Sequence, residues 1–461
     1  MSLGTRVCVV VCSIALVVGL TTPARAATAT TLTLSATAAY ADTPTTLGLL
    51  LADDAGTPIA AGEVLLERQT GGAWQPVDTL VTDAEGRAFA DLTVSRIPED
   101  NSIRATYAGD VDHAPITVEG ALAIRLRAAT ASLSGPAKVI DEKSVTLRVR
   151  WRTKDGQPLA GKVRVYRKLP GKPWRSYAVV PTDADGRGSL RVTPRTDTRW
   201  QVRAPRLAWV QADRSGTLRI DNRPPVAPVR MPKGAPSPRI KLPAQQRAVG
   251  AGPNVRVGAI SNAVWGQMVG VSWRRGCPVG RSGLRIVRVN YWDYHGYRRR
   301  GEIVANADAA GAMGAALADM YRRQLPIRAM YRVDRFGWSG RSRGGNDYAS
   351  MAAGNTSAFN CRDVTGRLGS RSPHSWGRSL DVNTWENPYR SARGIVPNTW
   401  WQPRSHARIA WRSSSHAVVR VMARHGLRWT YGNGDTQHFD YVGGGGKRMA
   451  YGPPACTQYC D

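Results

Sequence analysis

The sequence has 461 residues, and Lys plus Arg outnumber Asp plus Glu by 64 to 34, a formal net charge of +30. A charge of that size attracts polyanions. After residue 26 no stretch is long and apolar enough to cross a membrane as a helix. The length is sufficient for about three domains.

Residues 1–26 have the pattern of a secretory signal peptide. Arg6 supplies a positive charge, an apolar run extends from Val7 to Leu20, and Ala24-Arg25-Ala26 is a small-x-small cleavage pattern. The apolar run is too short for a membrane span, although an uncleaved N-terminal anchor is the alternative. We expect a soluble mature protein that is secreted, extracellular or bound to the cell wall. Its net charge is +28, because cleavage removes two arginines and no acids.

Residues 27–127 and 128–222 form an internal repeat with a period of about 100 residues. The clearest match is Thr82-Asp-Ala-Glu-Gly-Arg87, which recurs as Thr182-Asp-Ala-Asp-Gly-Arg187. Alternating segments and turn signals predict antiparallel strands, with Gly86 and Gly186 at the positive-φ position of a hairpin turn. The copies resemble the Ig-like domains of bacterial surface and exported proteins. We therefore expect two all-β Ig-like sandwiches, which either space the chain or bind a specific ligand.

The composition changes in residues 223–252. Seven prolines between Pro224 and Pro243 are interleaved with Arg and Lys. Such a sequence cannot hold a helix or a central strand, so it predicts an extended, semi-rigid linker. We expect this linker to keep the following domain away from the sandwiches.

Residues 253–448 predict an α+β domain, followed by a Cys-containing tail at 449–461. One helix is expected from about Ala307 to Arg323. A second is expected from Ser413 to His425, with Ser413 or Ser414 as N-cap and Gly426 as its stop. The predicted strands are Leu284–Tyr291, Pro326–Val333, Leu427–Thr430 and His438–Tyr441.

Two short motifs in this domain carry side chains that bind zinc. The first contains His374 and Asp381, and the alternation from Ser379 onward predicts a strand that turns Asp381 away from its apolar neighbours. The second contains Asp435 and His438, so one side chain can bind a metal while the other contacts the attacking water. Three ligands and a spare carboxylate indicate a catalytic zinc, since a structural zinc usually has four Cys or His ligands. We expect His374, Asp381 and His438 to bind zinc and Asp435 to act as general base.

At these residues the chain resembles the zinc peptidases of bacterial cell walls. These are the vancomycin-resistance type D-alanyl-D-alanine carboxypeptidases and the L-alanyl-D-glutamate endopeptidases of phage endolysins. The shared pattern is Ser-x-His-x-x-Gly-x-(Ala/Ser)-x-Asp followed by Asp-x-x-His-Phe, with Ser379 where Ala is usual. Further matches, which extend the resemblance over about the last 200 residues, lie at Gly276–Val279, Gly301–Val304, Asn355–Arg362 and Asn387–Tyr389.

The resemblance implies the same three zinc ligands and the same catalytic carboxylate as the residue pattern. It also implies an arginine upstream of the first His that steadies the carbonyl oxygen in the transition state. Arg362 and Arg332 both qualify, and Arg362 is favoured because it closes the Asn355–Arg362 block. The implied function is an exported zinc peptidase that cuts a peptidoglycan stem peptide, as a D,D-carboxypeptidase or an L,D-endopeptidase.

Two other functions stay open. One is a non-catalytic cell-wall-binding protein that uses its Ig-like domains and basic surface, and the other is a peptidase that acts on proteins. The expected partners are peptidoglycan stem peptides and anionic wall polymers. Nucleic acid is the rival partner for runs such as Arg298–Arg300, but no nucleic-acid-binding motif is present and export argues against it.

Four cysteines remain after signal cleavage, and none of them has Cys-x-x-Cys spacing. In an exported chain they predict two disulfides with three possible pairings. The pairing we favour joins Cys277 to Cys361 and Cys456 to Cys460. The remaining histidines are expected at surface or packing positions, and they are His113, His295, His406, His416 and His425.

Overall fold

The computed structural model describes residues 27–364, 367–391 and 394–443. The predicted signal peptide and the tail with Cys456 and Cys460 lie outside the described residues. The chain divides into two compact units, and the boundary in the sequence lies between Ile220 and Asp221. Two short stretches of the second repeat, Lys138–Lys143 and Thr193–Thr196, belong to the second unit. No helix among the described residues has the length and hydropathy needed to span a bilayer.

The first repeat is an all-β sandwich. Its strands are β1 (Thr30–Ala36), β2 (Ala39–Tyr40), β3 (Pro44–Asp53), β4 (Glu63–Thr70), β5 (Ala73–Val81), β6 (Arg87–Thr93), β7 (Ser102–Tyr107), β8 (Ile116–Ala121) and β9 (Ile124–Arg125). One sheet has the order β1-β3-β6 and the other β5-β4-β7-β8. Alternating side chains point inward, so Leu49 and Leu51 of β3 pack with Val64 and Leu66 of β4 in one buried core.

The second repeat has the same architecture. Its strands are β10 (Ala129–Ser134), β11 (Lys138–Ile140), β12 (Val145–Thr153), β13 (Gly161–Lys168), β14 (Arg175–Thr182), β15 (Arg187–Val192), β16 (Thr198–Ala204), β17 (Asp213–Arg214) and β18 (Leu218–Arg223). The sheets have the orders β10-β12-β15 and β11-β18-β16-β13-β14, with β17 paired to β16. The two-sandwich prediction is therefore confirmed.

The hairpin turns of the two repeats require glycine. Gly86 has φ +71 and Gly186 has φ +70, in the left-handed region predicted from the Asp-Ala-(Glu/Asp)-Gly-Arg motif. A Cβ atom at these positions would lie 2.3 Å from the carbonyl oxygen of Leu51 and 2.2 Å from that of Trp151. Each turn thus brings its glycine against the neighbouring strand, where no other residue fits.

The second unit contains mixed α and β structure. Its helices are α1 (Asn262–Met268), α2 (Ala310–Arg322), α3 (Asp347–Ala352) and α4 (Ala417–Arg424). Its strands are β19 (Gln246–Arg247), β20 (Arg256–Gly258), β21 (Leu284–Trp292), β22 (Arg298–Asn306), β23 (Trp338–Ser339), β24 (Gly344–Gly345), β25 (Asp363–Val364), β26 (Arg367–Arg371), β27 (Ser379–Asp381), β28 (Tyr389–Ser391), β29 (Gly394–Val396), β30 (Leu427–Arg428) and β31 (His438–Tyr441). The main sheets have the orders β19-β22-β21-β20 and β27-β31-β30.

One core joins these elements. Apolar residues of β21 and β22 pack with the buried face of α2, which includes Met313, Leu317 and Met320. Leu380 of β27 and Phe439 of β31 belong to the same cluster and are 0% exposed. The short sheet β27-β31-β30 is therefore held on one side by the core, and its polar side chains lie on the other.

Two predicted elements differ from the structure. No strand forms at Pro326–Val333, because side chains and not a neighbouring strand accept hydrogen bonds from its backbone. The Arg328 N–H donates to Asn383 Oδ1 at 3.0 Å, and the Tyr331 N–H donates to Asn355 Oδ1 at 2.8 Å. The last helix begins at Ala417 rather than near Ser413. Its N-cap is His416, whose Nδ1 accepts from the Val418 N–H at 3.2 Å.

The proline-rich segment belongs to the second unit and packs against its other residues. The indole N–H of Trp385 donates to the Pro236 carbonyl at 2.8 Å, and the Val229 N–H donates to the Tyr294 carbonyl at 2.8 Å. The segment is thus bound to the domain that follows it, and the separation of that domain from the sandwiches stays a prediction. Its extended backbone offers carbonyls that a neighbouring surface can bind.

The predicted pairing of Cys277 with Cys361 is confirmed. The two Cα atoms are 6.0 Å apart, and the closed loop spans 84 residues of sequence. Cys361 is fully buried beside Phe359 and Ile286 in a small apolar cluster. The bond therefore ties the start of the domain to the segment that carries Arg362.

Candidate metal centre

Strand pairing brings the two sequence motifs together. β27 and β31 are antiparallel neighbours, and Asp381 lies directly opposite His438 in their register. His374 sits in a 3-10 turn, Pro373–Trp376, just before β27. Gly377 ends that turn with φ +69, and a Cβ there would lie 2.7 Å from the Asn306 nitrogen. The turn is therefore pressed against the end of β22, which holds His374 over the strand pair.

The side chains of His374, Asp381 and His438 converge in the interior. Their ligating atoms all lie within 4.8 Å of one another, and the residues are only 4%, 2% and 2% exposed. His374 Nε2 is 3.1 Å from Asp381 Oδ2, and His438 Nδ1 is 3.2 Å from both Asp381 Oδ1 and His374 Nε2. Two ligands bound tetrahedrally at about 2.0–2.1 Å are separated by about 3.3 Å, so these spacings fit a zinc ion.

Hydrogen bonds fix which nitrogen of each imidazole faces the cluster. His374 Nδ1 lies 2.7 Å from the Ala358 carbonyl, which only an N–H can satisfy, so Nε2 keeps its lone pair. His438 Nε2 lies 2.9 Å from Asp440 Oδ1 and donates to it, so Nδ1 is the nitrogen that faces His374 and Asp381. Such partners on the outer nitrogen are the usual support of metal-binding histidines.

Asp440 is a site residue that the sequence reasoning missed. Its carboxylate accepts from Ser379 Oγ at 2.6 Å and from Thr430 Oγ1 at 2.7 Å, in addition to His438. The available signal was the His-x-Asp spacing in a strand, which puts both side chains on one face. The same network explains the serine at position 379, because alanine would leave Asp440 with one hydrogen bond fewer.

The buried ionisable groups of this site perturb one another. Burial opposes charge on His438, but the Asp440 and Asp381 carboxylates outweigh it and raise the pKa of His438 well above its ordinary value. Burial disfavours the Asp381 carboxylate too, yet the His374 and His438 imidazoles hold its pKa well below the usual range. Burial raises the pKa of Asp435 to about 7, and the nearby Asp381 adds to this effect. A pocket with facing carboxylates in a low dielectric favours a bound cation.

Asp435 carries a carboxylate oxygen with no protein partner. The residue is 8% exposed, and among the described residues none donates a hydrogen bond to its buried Oδ1. Its backbone is held by a bridge to Tyr389, so the side chain is positioned while its oxygen is free. An unpaired buried acceptor beside a group of candidate metal ligands is suited to hold a water molecule or a proton.

The two candidate arginines lie in different surroundings. Arg362 is buried, pairs with Asp347 at 2.8 Å, and has a buried Nε without a partner among the described residues. Burial lowers its pKa, but Asp347, Tyr389, Asp381 and Asp435 together raise it, so its charge is felt at the cluster. The guanidinium of Arg332 is instead occupied by Asp334, Glu302 and Gln267. Arg362 therefore stays the preferred candidate, because the Asp381 and Asp435 carboxylates act on its charge whereas the guanidinium of Arg332 is already occupied.

The remaining histidines have other surroundings. His113 pairs with Asp110 at 2.9 Å in the first sandwich, and His425 lies 3.6 Å from Asp319 on the second unit. His416 caps α4. Within the described part of the chain, the His, Cys, Asp or Glu side chains that lie close enough together to hold a metal ion are those of His374, Asp381 and His438.

Comparisons with known proteins point to the same region. A family model described as D-alanyl-D-alanine carboxypeptidase matches residues 365–441, the stretch that holds all four motif residues. No curated protein matches the sequence. Solved structures similar to this chain include a marsupial T cell receptor, with 10% identity, TM-score 0.23, and coverage of 59% of this chain and 99% of that one.

Two further solved structures are similar to this chain. One is a tetra-tandem repeat from the extending region of a large adhesion protein, with 13% identity, TM-score 0.29, and coverage of 61% of this chain and 64% of that one. The other is a Salmonella alpha-2-macroglobulin mutant, with 14% identity, TM-score 0.21, and coverage of 57% and 18%. The chain thus spans less than two thirds of each of these two structures.

Proposed function

We propose that this chain, whose C-terminal region is a domain of the D-alanyl-D-alanine carboxypeptidase family, is an exported zinc peptidase of peptidoglycan stem peptides. The observation that carries the proposal is the buried cluster of His374, Asp381 and His438 beside the unpaired Asp435 oxygen. A structural zinc site would be closed by a fourth ligand and would not need a free carboxylate. The geometry therefore favours hydrolysis over a purely structural role.

Each residue of the site has a separate role in hydrolysis. The chemistry that a bound zinc ion supplies here is polarisation of the peptide carbonyl and of the attacking water. Asp435 Oδ1 accepts the proton of that water and afterwards donates it to the leaving amine. Arg362 holds the negative charge that develops on the carbonyl oxygen. Asp440 and the Ala358 carbonyl keep the two imidazoles in the orientation and tautomer that the site needs.

Export is supported by the disulfide. Cys277 and Cys361 form a bond in a buried position, and such bonds persist in oxidising compartments. We infer that the protein works outside the cytoplasm, where peptidoglycan stem peptides and anionic wall polymers are available. The N-terminal pattern at 1–26 is consistent with that location.

The experiment that tests the function is mass spectrometry of muropeptides after digestion of purified peptidoglycan with the zinc-loaded protein. Loss of a terminal D-Ala would establish a D,D-carboxypeptidase, and new ends inside the stem peptide would establish an endopeptidase. A His438→Ala sample is the matched blank. Unchanged muropeptides with a verified zinc-loaded sample would refute the proposal, and cleavage of casein without any change in muropeptides would redirect it to protein substrates.

The two arginines give a sharp internal comparison. Arg362→Ala is expected to lower kcat about 10²- to 10³-fold, the usual effect of removing a charge that stabilises an oxyanion. Arg332→Ala is expected to lower the free energy of unfolding by about 3–5 kcal/mol, because Asp334 would keep a buried charge without its partner. The check is kcat per folded molecule together with thermal unfolding of both variants. A loss of kcat in Arg332→Ala but not in Arg362→Ala would reverse the assignment.

A further inference from the structure

The two sandwiches carry opposite charges. Residues 27–127 contain six basic and 14 acidic residues, a net charge of −8, whereas residues 128–222 contain 20 basic and eight acidic residues, a net charge of +12. Both repeats have the same sheet architecture. The architecture therefore does not require the positive charge of the second repeat, and that charge needs another explanation.

Five of these 20 basic residues lie on the outer face of the sheet β10-β12-β15. Along β12, the inward residues Leu147, Val149 and Trp151 are buried, while Arg148 and Arg150 are exposed and Arg152 is half-buried. β15 adds exposed Arg187 and Arg191. None of the three strands contains an acidic residue, and their other exposed side chains are Ser or Thr. We call Arg148, Arg150, Arg152, Arg187 and Arg191 the arginine face.

These arginines repel one another. Arg150 is directly opposite Arg187 in the antiparallel register, a like-charge pair that destabilises a sheet. Arg187 pairs with Asp185, but the distance is as long as 4.0 Å and both side chains are largely exposed, so this ion pair neutralises little of the charge. Among the described residues, no ion pair or hydrogen bond is formed by the side chains of Arg148, Arg150 or Arg191. The face thus has positive charge that the protein itself does not neutralise.

The first repeat shows how the same positions are filled without this charge. Equivalent backbone hydrogen bonds show which positions of the two repeats correspond. The Leu51 N–H donates to the Gly86 carbonyl in the first repeat, and the Trp151 N–H donates to the Gly186 carbonyl in the second, each at 2.8 Å. The cross-strand pairs of the first repeat are Leu50 with Arg87, Gly48 with Phe89, and Thr46 with Asp91. Their counterparts are Arg150 with Arg187, Arg148 with Ser189, and Thr146 with Arg191. The same sandwich therefore forms with a nearly neutral face.

We propose that the arginine face binds an extended phosphodiester polymer with polyol units. Outward residues two apart on a strand are about 6.6 Å apart and neighbouring strands are about 4.8 Å apart, so the guanidinium groups form a two-row lattice that suits a chain of regularly spaced phosphates. Guanidinium binds phosphate through two parallel hydrogen bonds. The hydroxyls of Ser132, Ser134 and Ser189 lie on the same face and add donors for phosphate oxygens.

The face lacks what a single-stranded nucleic acid would need. Bases bind such grooves by stacking on exposed aromatic side chains. β10 and β15 contain no aromatic residue, and the one aromatic residue of β12, Trp151, is 0% exposed. A polymer whose units are polyols requires no stacking. The chemistry of the face therefore favours a polyol phosphate over a polynucleotide.

The test is equilibrium binding of the full chain to soluble poly(glycerol phosphate) at low and high salt. The variant carries Arg148→Gln, Arg150→Gln and Arg191→Gln. The matched control carries Lys162→Gln, Arg164→Gln and Arg199→Gln, which are exposed residues of the other sheet of the same repeat. The face variant is expected to bind about 100-fold more weakly at low salt, at about fivefold per arginine, and to lose most of its salt dependence. The control is expected to bind within a few-fold of the unmodified protein.

Three outcomes would overturn the proposal. The first is unchanged binding by the face variant, and the second is an equal loss in the control, which would show that only net charge matters. The third is tighter binding of a single-stranded oligonucleotide of equal charge, with the same sensitivity to the face variant. Because the arginine face lies in the other unit from the metal cluster, Asp435→Asn is expected to bind the polymer as the unmodified protein does. Failure of the peptidase proposal would leave this result unaffected.

Discussion

Asp435→Asn is expected to lower kcat on muropeptides by about 10²- to 10⁴-fold while the protein still binds one zinc ion. Asparagine has the size of aspartate, so the backbone bridge between position 435 and Tyr389 is preserved. The amide cannot accept the proton of the attacking water, whereas the three ligands of the metal are untouched. The measurement is kcat together with zinc content by elemental mass spectrometry.

The matched control for this substitution is Asp319→Asn. That carboxylate pairs with Arg323 at 2.9 Å on α2 and takes no part in the cluster, so kcat is expected to stay within about twofold. Retained turnover in a fully loaded Asp435→Asn sample would mean that another group accepts the proton. Loss of zinc together with turnover would instead make Asp435 a ligand.

His438→Ala is expected to abolish both zinc binding and turnover. It removes one of three ligands and also leaves the Asp440 and Asp381 carboxylates buried without the imidazole between them. A metal ion whose free concentration is about 1,000 times its Kd stabilises the folded state by about 4 kcal/mol. For a unit of this size that corresponds to about 10 °C in Tm. Chelation should therefore lower the Tm of the unmodified protein and leave that of His438→Ala unchanged.

His425→Ala serves as the control for the histidine substitution. His425 follows α4 and lies 3.6 Å from Asp319, away from the cluster, so zinc content and the effect of chelation are expected to match those of the unmodified protein. If His438→Ala still bound zinc with full stoichiometry, the ligand set would have to be assigned again. A Tm that does not respond to chelation in the unmodified protein would mean that the metal does not stabilise the fold.

The sequence by itself determined the features that depend on local patterns. Alternation and turn residues predicted two sandwiches, since Gly86 and Gly186 need positive φ values in tight turns. The motif around His374 and the Asp435 to His438 spacing predicted which side chains could bind a metal. Local geometry was enough to put Asp381 on the polar face of its strand, whereas the meeting of the two motifs depends on the pairing of β27 with β31.

Tertiary structure decided everything that depends on contacts between distant residues. The sequence favoured Arg362 over Arg332 only through its place in the Asn355–Arg362 block. The structure adds that Asp334, Glu302 and Gln267 occupy the guanidinium of Arg332. The predicted strand at Pro326–Val333 does not form, because the side chains of Asn355 and Asn383, which are distant in sequence, accept hydrogen bonds from its backbone N–H groups. The role of Asp440 and the repulsion between Arg150 and Arg187 likewise appear only when strands are paired. Sequence patterns report which face a side chain occupies, whereas its partner across the sheet is set by the register of another strand.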